Sequence, residues 1–150
     1  MEISERIFAD SNYFIALFSS RDALYDRARA CARIIAAKRY SVVISSFIFL
    51  ETVTVLSYRR GKEAARDVGT HLRTDPAIQY VHVDESLQET AWDIFQRVPE
   101  KNISFVDCST IAVMKAEHIT TVLTFDTTDF RKLKREYKFA FFQEKIQGNP

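Results

Sequence analysis

Glycine and proline are scarce, three of each in 150 residues. Disordered and loop-dominated chains are rich in both, so their scarcity argues for regular elements joined by short connections. Only two cysteines occur, Cys31 and Cys108, each inside a segment of helical period, with no Cys-x-x-Cys and no Cys/His pattern. That excludes a disulfide framework, and a reducing cytoplasm is the simplest setting. The three histidines, His71, His82 and His118, are scattered without ligand spacing, which argues against a zinc centre. No apolar stretch approaches the roughly 18 residues that span a bilayer. The opening MEISERIFAD lacks the basic start and apolar run of a signal peptide, so no membrane role is expected. Neither sign of charge dominates: the net charge is +1, which leaves a nucleic-acid partner open because distribution matters more than the total.

What is present is an ordinary globular composition, 47% hydrophobic and 27% charged, with twelve Phe and six Tyr to fill a core. Residues 1–150 are expected to form one domain. Short apolar runs alternate with longer segments of helical period. Ile7–Ala9, Tyr40–Ser46, Ala77–Val83 and Thr121–Phe125 read as strands, and Lys138–Phe142 as a last edge strand. Between them, helices are expected over Asn12–Ser19, around the stripe Leu24, Ala28, Cys31 and Ile35, and over Phe47–Arg60, closed by Gly61. Further helices are expected over Glu63–Arg73, over the stripe Leu87, Ala91, Ile94, Phe95 and Val98, and over Ser104–Glu117. "TTDFRKL" reads as a short turn. Alternating strands and helices imply a three-layer α/β/α fold around a mostly parallel sheet of about five strands. Ligands of such sheets gather outside the carboxyl ends of the strands.

Acids stand at those ends. Asp10 follows the first strand and Asp126 the fourth, Glu51 lies on an apolar face of the helix after the second, and Asp107 opens its own helix. Clustered carboxylates repel, and without a counter-charge their pKa values rise. A hard divalent cation, Mg²⁺ or Mn²⁺, relieves that and needs neither His nor Cys. Metal-assisted phosphodiester hydrolysis is the chemistry that most often uses acid-only clusters. Each acid also has an ordinary structural explanation. Asp107 with Ser104 makes a capping-box pair, Asp10 can cap the helix after it, and Asp126 or Asp129 can cap "TTDFRKL". Glu51 is harder to explain away, because a carboxylate on an apolar face is uncommon unless paired.

Other acid-at-strand-end enzymes fail on particular residues. Receiver domains need adjacent acids where Ser11 stands, and haloacid-dehalogenase-like phosphatases need an acid where Asn12 stands. The von Willebrand A metal motif is broken at Asn12 and Phe14, and none of Gly61, Gly69 and Gly148 follows a strand as a phosphate-binding loop requires.

The segments "FADSNYFIALF", "SSFIFLETVTVL" and "ISFVDCSTIAVMKAEHITTVLTFDTTDF" together resemble the PIN-domain nucleases, and among them the VapC-type toxins. The resemblance spans nearly the whole chain, and its last segment is the most specific. It implies a cytoplasmic endoribonuclease using one or two Mg²⁺ or Mn²⁺ ions, held by Asp10, Glu51, Asp107 and Asp126, with the last position open between Asp126 and Asp129. Hydrolysis would leave 5′-phosphate and 3′-hydroxyl ends. Ser11, Asn12 and Thr124 take supporting roles, as hydrogen-bond partners of carboxylates or metal waters. The resemblance further implies an antitoxin partner and a homodimer. The basic residues Arg59, Arg60 and Lys62, and Arg131, Lys132, Lys134 and Arg135, are candidates for RNA phosphate contact, although a solvated charged face is the commoner explanation of either run taken alone. A PIN-like module that binds RNA or protein without cutting, and a housekeeping RNA-processing nuclease, are the competing readings.

Overall fold

The computed structural model of the chain describes residues 4–148. Residues 1–3, part of the segment read for a signal sequence, lie outside them. Five strands form one sheet: β1 (Arg6–Ala9), β2 (Ser41–Ser45), β3 (Ile78–Val81), β4 (Thr121–Leu123) and β5 (Ala140–Phe141). Eight helices are described: α1 (Ser11–Leu17), α2 (Tyr25–Lys38), α3 (Ser46–Arg60), α4 (Lys62–Thr74), α5 (Glu85–Arg97), α6 (Phe105–Ala116), α7 (Thr127–Leu133) and α8 (Phe142–Gln147).

Strand order is β3-β2-β1-β4-β5, and every pairing is parallel. The expectation of a mostly parallel, five-stranded sheet therefore holds, with no antiparallel member. Ile7, Phe8 and Ala9 are all buried, as are Val42, Val43 and Ile44. Successive side chains of a strand point to opposite faces, so unbroken burial requires cover on both sides, the outer layers of a three-layer α/β/α fold. The helices supply it: α1 packs on α2 and α3, α3 on α4, and α5 on α6.

The chain builds β2 and β3 on one side of β1, then crosses back through α5 and α6 to place β4 and β5 on the other. The order reverses between β1 and β4, whose register pairs Phe8 with Val122 and Ala9 with Leu123. A crevice opens at such a switch point, because the connections leaving the two strands diverge.

Local chemistry explains most boundaries. Gly61 ends α3 and begins α4 at φ +89°, a conformation a Cβ would strain. Asp84 caps α5 by accepting the Leu87 amide at 2.9 Å. Four details depart from the sequence reading. β4 ends at Leu123 rather than Phe125, because the Phe125 amide turns aside to Asn12 Oδ1 (3.0 Å) instead of continuing the ladder. "TTDFRKL" forms α7 rather than a bare turn, with Phe130 and Leu133 buried beneath it. Phe142 leaves the edge strand to start α8, where it is buried. Phe95, expected in the core, is 38% exposed and stacks on Trp92. Among the described residues no helix is long and apolar enough to cross a membrane.

Candidate active site at the carboxyl rim

Asp10 sits at the switch point. It follows β1, caps α1, and its backbone amide bridges to Leu123 O of β4 at 2.9 Å. Its side chain is 6% exposed. Oδ1 accepts the Ser11 amide (2.8 Å), and Oδ2 accepts the Thr124 hydroxyl (2.8 Å) and Asn12 Nδ2 (3.3 Å). Burial pushes its pKa up to about 7. The Thr124 and Ser11 hydrogen bonds oppose the rise, while the charges of Asp107 and Glu51 add to it.

Thr124 ties the crevice together. Its hydroxyl donates to Asp10 and accepts from Asn12 Nδ2 (3.1 Å) and the Asp126 amide (3.1 Å). One proton and two lone pairs are thereby all used, so the hydroxyl has one orientation. Asn12 is equally constrained: its Oδ1 accepts the Phe125 amide and its Nδ2 faces two acceptors, which decides which end of the amide is oxygen. Ser11 Oγ donates to Glu51 Oε2 at 2.8 Å across the gap between α1 and α3, holding the half-buried Glu51 toward the crevice.

Asp107 forms the capping box expected of it. Its Oδ2 accepts the Ser104 amide at 2.8 Å, and Ser104 Oγ accepts the Asp107 amide at 3.1 Å, a complete capping box. Burial nonetheless lifts its pKa to about 6 against those bonds, helped by the charges of Asp126 and Glu51. Asp10, Glu51 and Asp107 are thus within electrostatic reach of one another, and Asp126 within reach of Asp107. Asp126 occupies the cap position of α7 without a side-chain capping bond. Partial desolvation, then the charge of Asp129, raises its pKa. Asp129, in the first turn of α7, lies 3.8 Å from Lys132.

Among the described residues no base pairs with Asp10, Glu51, Asp107 or Asp126. Nor do any three His, Cys, Asp or Glu side chains there stand close enough to enclose an ion as they are. The donor set itself fits a hard divalent cation. It offers carboxylate oxygens only, one acid almost fully buried, and charges that no base among the described residues neutralises. The sequence-predicted bases have mixed placements. Arg59 pairs with Asp22 (3.5 Å) and Arg60 donates to Phe18 O (3.1 Å). Arg131 and Lys134 pair with Glu144 at 2.6 and 3.6 Å. Lys62 and Arg135 are exposed. One residue of the site escaped the sequence reading: Gln143, whose Nε2 donates to Thr124 O at 2.6 Å. No local motif marks it, since it follows an apolar run that reads as strand.

The chain belongs to the PIN-domain family, whose model matches residues 7–136. It is 33% identical over 120 residues to the 23S rRNA-specific endonuclease VapC20 of Mycobacterium tuberculosis, in strains CDC 1551 and H37Rv, over 80% of this chain and 88% of that protein. The crystal structure of Mycobacterium tuberculosis VapC20, a sarcin–ricin-loop-cleaving toxin, superposes with a TM-score of 0.73 at 32% identity, covering 81% of this chain and 90% of that one. Two more distant structures share the fold. VapBC2 from Rickettsia felis, bound to a DNA fragment from its promoter, gives a TM-score of 0.64 at 15% identity over 85% of this chain and 92% of that one. A toxin–antitoxin complex from Klebsiella pneumoniae gives 0.58 at 17% identity over 83% and 89%.

Proposed function

We propose that this chain is a divalent-metal-dependent endoribonuclease, the toxin of a VapBC-type toxin–antitoxin pair, and that Asp10, Glu51, Asp107 and Asp126 are its catalytic metal ligands. The observation that carries this reading is Asp10: a nearly buried carboxylate at the switch point, acted on by the charges of Asp107 and Glu51 and paired with no base among the described residues. A bound Mg²⁺ or Mn²⁺ lowers the pKa of water and offsets charge on the phosphate under attack. The chain's own contribution is position. Thr124 and the Ser11 amide fix both oxygens of Asp10, Ser11 Oγ turns Glu51 inward, and the capping box anchors one oxygen of Asp107. Asp126 is assigned as the last ligand ahead of Asp129, because its amide is tied to Thr124 and its charge acts on Asp107, whereas Asp129 neighbours Lys132.

The whole chain acts as one nuclease unit in this reading, supported by the span of the family match. RNA is the substrate, and a structured ribosomal RNA hairpin of the kind cut by the mycobacterial relative is the first to try. An antitoxin partner is supported by the toxin–antitoxin neighbours. A homodimer is supported by the exposed Leu50, Tyr58, Trp92 and Phe95 on α3 and α5, and light scattering tests it directly. A cytoplasmic setting is supported by the two buried free cysteines. The decisive experiment is cleavage of that hairpin with Mn²⁺ and with EDTA. Cleavage that needs the metal is expected, and cleavage undiminished by EDTA sinks the metal assignment.

A further inference from the structure

Gln143 lies on α8, beyond the residues 7–136 that match the family model, yet it reaches the rim. Its Nε2 donates to the Thr124 carbonyl at 2.6 Å, and a carbonyl only accepts, so the amide's orientation is fixed. The side chain is 9% exposed, and its Oε1 has no partner among the described residues. Burying an amide oxygen unpaired is costly, and a methionine or leucine would fill the same space without that cost. Packing alone therefore does not explain a glutamine here; the bond made by its nitrogen does.

The bond acts on a particular peptide plane. The Thr124 carbonyl and the Phe125 amide are two ends of one rigid unit. Gln143 holds the carbonyl end, and Asn12 Oδ1 holds the amide end at 3.0 Å. That plane sets where the Thr124 side chain points, and the Thr124 hydroxyl orients Asp10 and receives the Asp126 amide. The helix carrying Gln143 is itself anchored twice. Glu144 pairs with Arg131 of α7 and with Lys134 just after it, and Lys145 contacts Glu5, just before β1, and Thr121, the first residue of β4.

We propose that Gln143 is a positioning residue of the active site, which fixes the Thr124–Phe125 peptide and through it two of the metal-binding acids. The proposal rests on the nuclease reading of the rim. Groups bonded directly to a metal ligand typically change metal affinity or activity by about 10- to 100-fold; Gln143 stands one residue further out, behind Thr124, so its effect falls at or below the lower end of that range.

The test compares wild type with Gln143→Met, which keeps the volume and removes the donor, and Gln143→Asn, a milder change should the first fail to fold. Three quantities are read: the Mn²⁺ concentration that half-saturates thermal stabilisation of the metal-free protein, kcat and KM for RNA, and amide hydrogen exchange. The expected result for Gln143→Met is a half-saturating Mn²⁺ concentration raised several-fold, up to about tenfold, with lower kcat and unchanged KM. Phe125 and Asp126 amides should exchange faster while the Val43 amide in β2 does not. Gln143→Asn should move the same way by less. Wild-type Mn²⁺ response and wild-type exchange at Phe125 in the variants would overturn the proposal and leave the nuclease reading standing. So would a uniform loss of protection across the fold, which is what a purely structural residue produces. A wild-type protein that neither responds to Mn²⁺ nor cuts RNA would overturn both.

Discussion

At the amino end of the sheet, Arg6 lies 3.0 Å from Glu117, Gln79 reaches the same carboxylate at 3.4 Å, and Lys145 pairs with Glu5. At the carboxyl end, Asp10, Glu51 and Asp107 are held by hydroxyls and amides, with no base beside them among the described residues. Both ends place acids next to strands, so acidity alone does not mark a site. The difference is compensation. Each acid of the first group is matched on the protein, and its charge is neutral with respect to any ligand. The second group is oriented but unmatched, and burial, with repulsion adding to it, raises the pKa values of Asp10 and Asp107 to about 7 and about 6. Native folds carry such a cost where a ligand removes it.

The sharpest way to break the comparison is to remove one unmatched acid. Asp10→Asn and Asp107→Asn should each abolish detectable cleavage and the Mn²⁺-induced rise in melting temperature, while the circular dichroism spectrum stays native. Retained cleavage in both variants would falsify the assignment of the rim. Asp126→Asn should lose more activity than Asp129→Asn, and the reverse ranking would move the last ligand to Asp129.

The second prediction concerns pH. An acid whose folded pKa lies above its unfolded value holds its proton more tightly when folded. The metal-free protein should therefore be most stable below about pH 4 with respect to these groups, and lose stability as pH rises to about 7. From its shift, Asp10 alone contributes on the order of 4 kcal/mol of that loss. Denaturant melts across the range read it, and saturating Mn²⁺ should flatten the slope. A metal-free protein that gains stability over that window would contradict the picture of an uncompensated rim.

Thr124→Val comes next. It keeps the shape but removes the hydroxyl shared by Asp10, Asn12 and the Asp126 amide. Cleavage should fall by about 10- to 100-fold with a parallel weakening of Mn²⁺ binding. The smallest effect belongs to the matched end. The Arg6–Glu117 pair is about one-third exposed, so Glu117→Gln should cost less than about 1 kcal/mol in a denaturant melt. Its Mn²⁺ response and cleavage should equal wild type; a change in either would mean that the two ends are coupled.

Much of this was legible before any coordinates. The alternation of short apolar runs with helical stripes predicted parallel strands and their order along the chain, because buried strands and amphipathic helices have different periods. Asp107 and Ser104, three residues apart, announced a capping box that is present. Asp10, Glu51 and Asp126 were visible as acids at strand ends or on an apolar face. The basic runs were less legible. Arg131 and Lys134 read as an open charged face, but Glu144, on a helix the sequence reading did not expect, engages both. The stripe through Phe95 likewise predicted core, whereas that ring lies on the surface against Trp92.

Sequence by itself determined which residues were available and at which ends of which elements: carboxylates after strands, a capped helix at Asp107, and no His or Cys pattern to compete for a metal. Only the tertiary structure decided who holds whom. Thr124 meets Asp10 across 114 positions because β4 inserts beside β1, and Gln143 meets Thr124 because α8 packs back on β4. Such pairings follow from strand order and helix docking, which satisfy the whole core at once. Local periodicity reports only what a segment's own neighbours require.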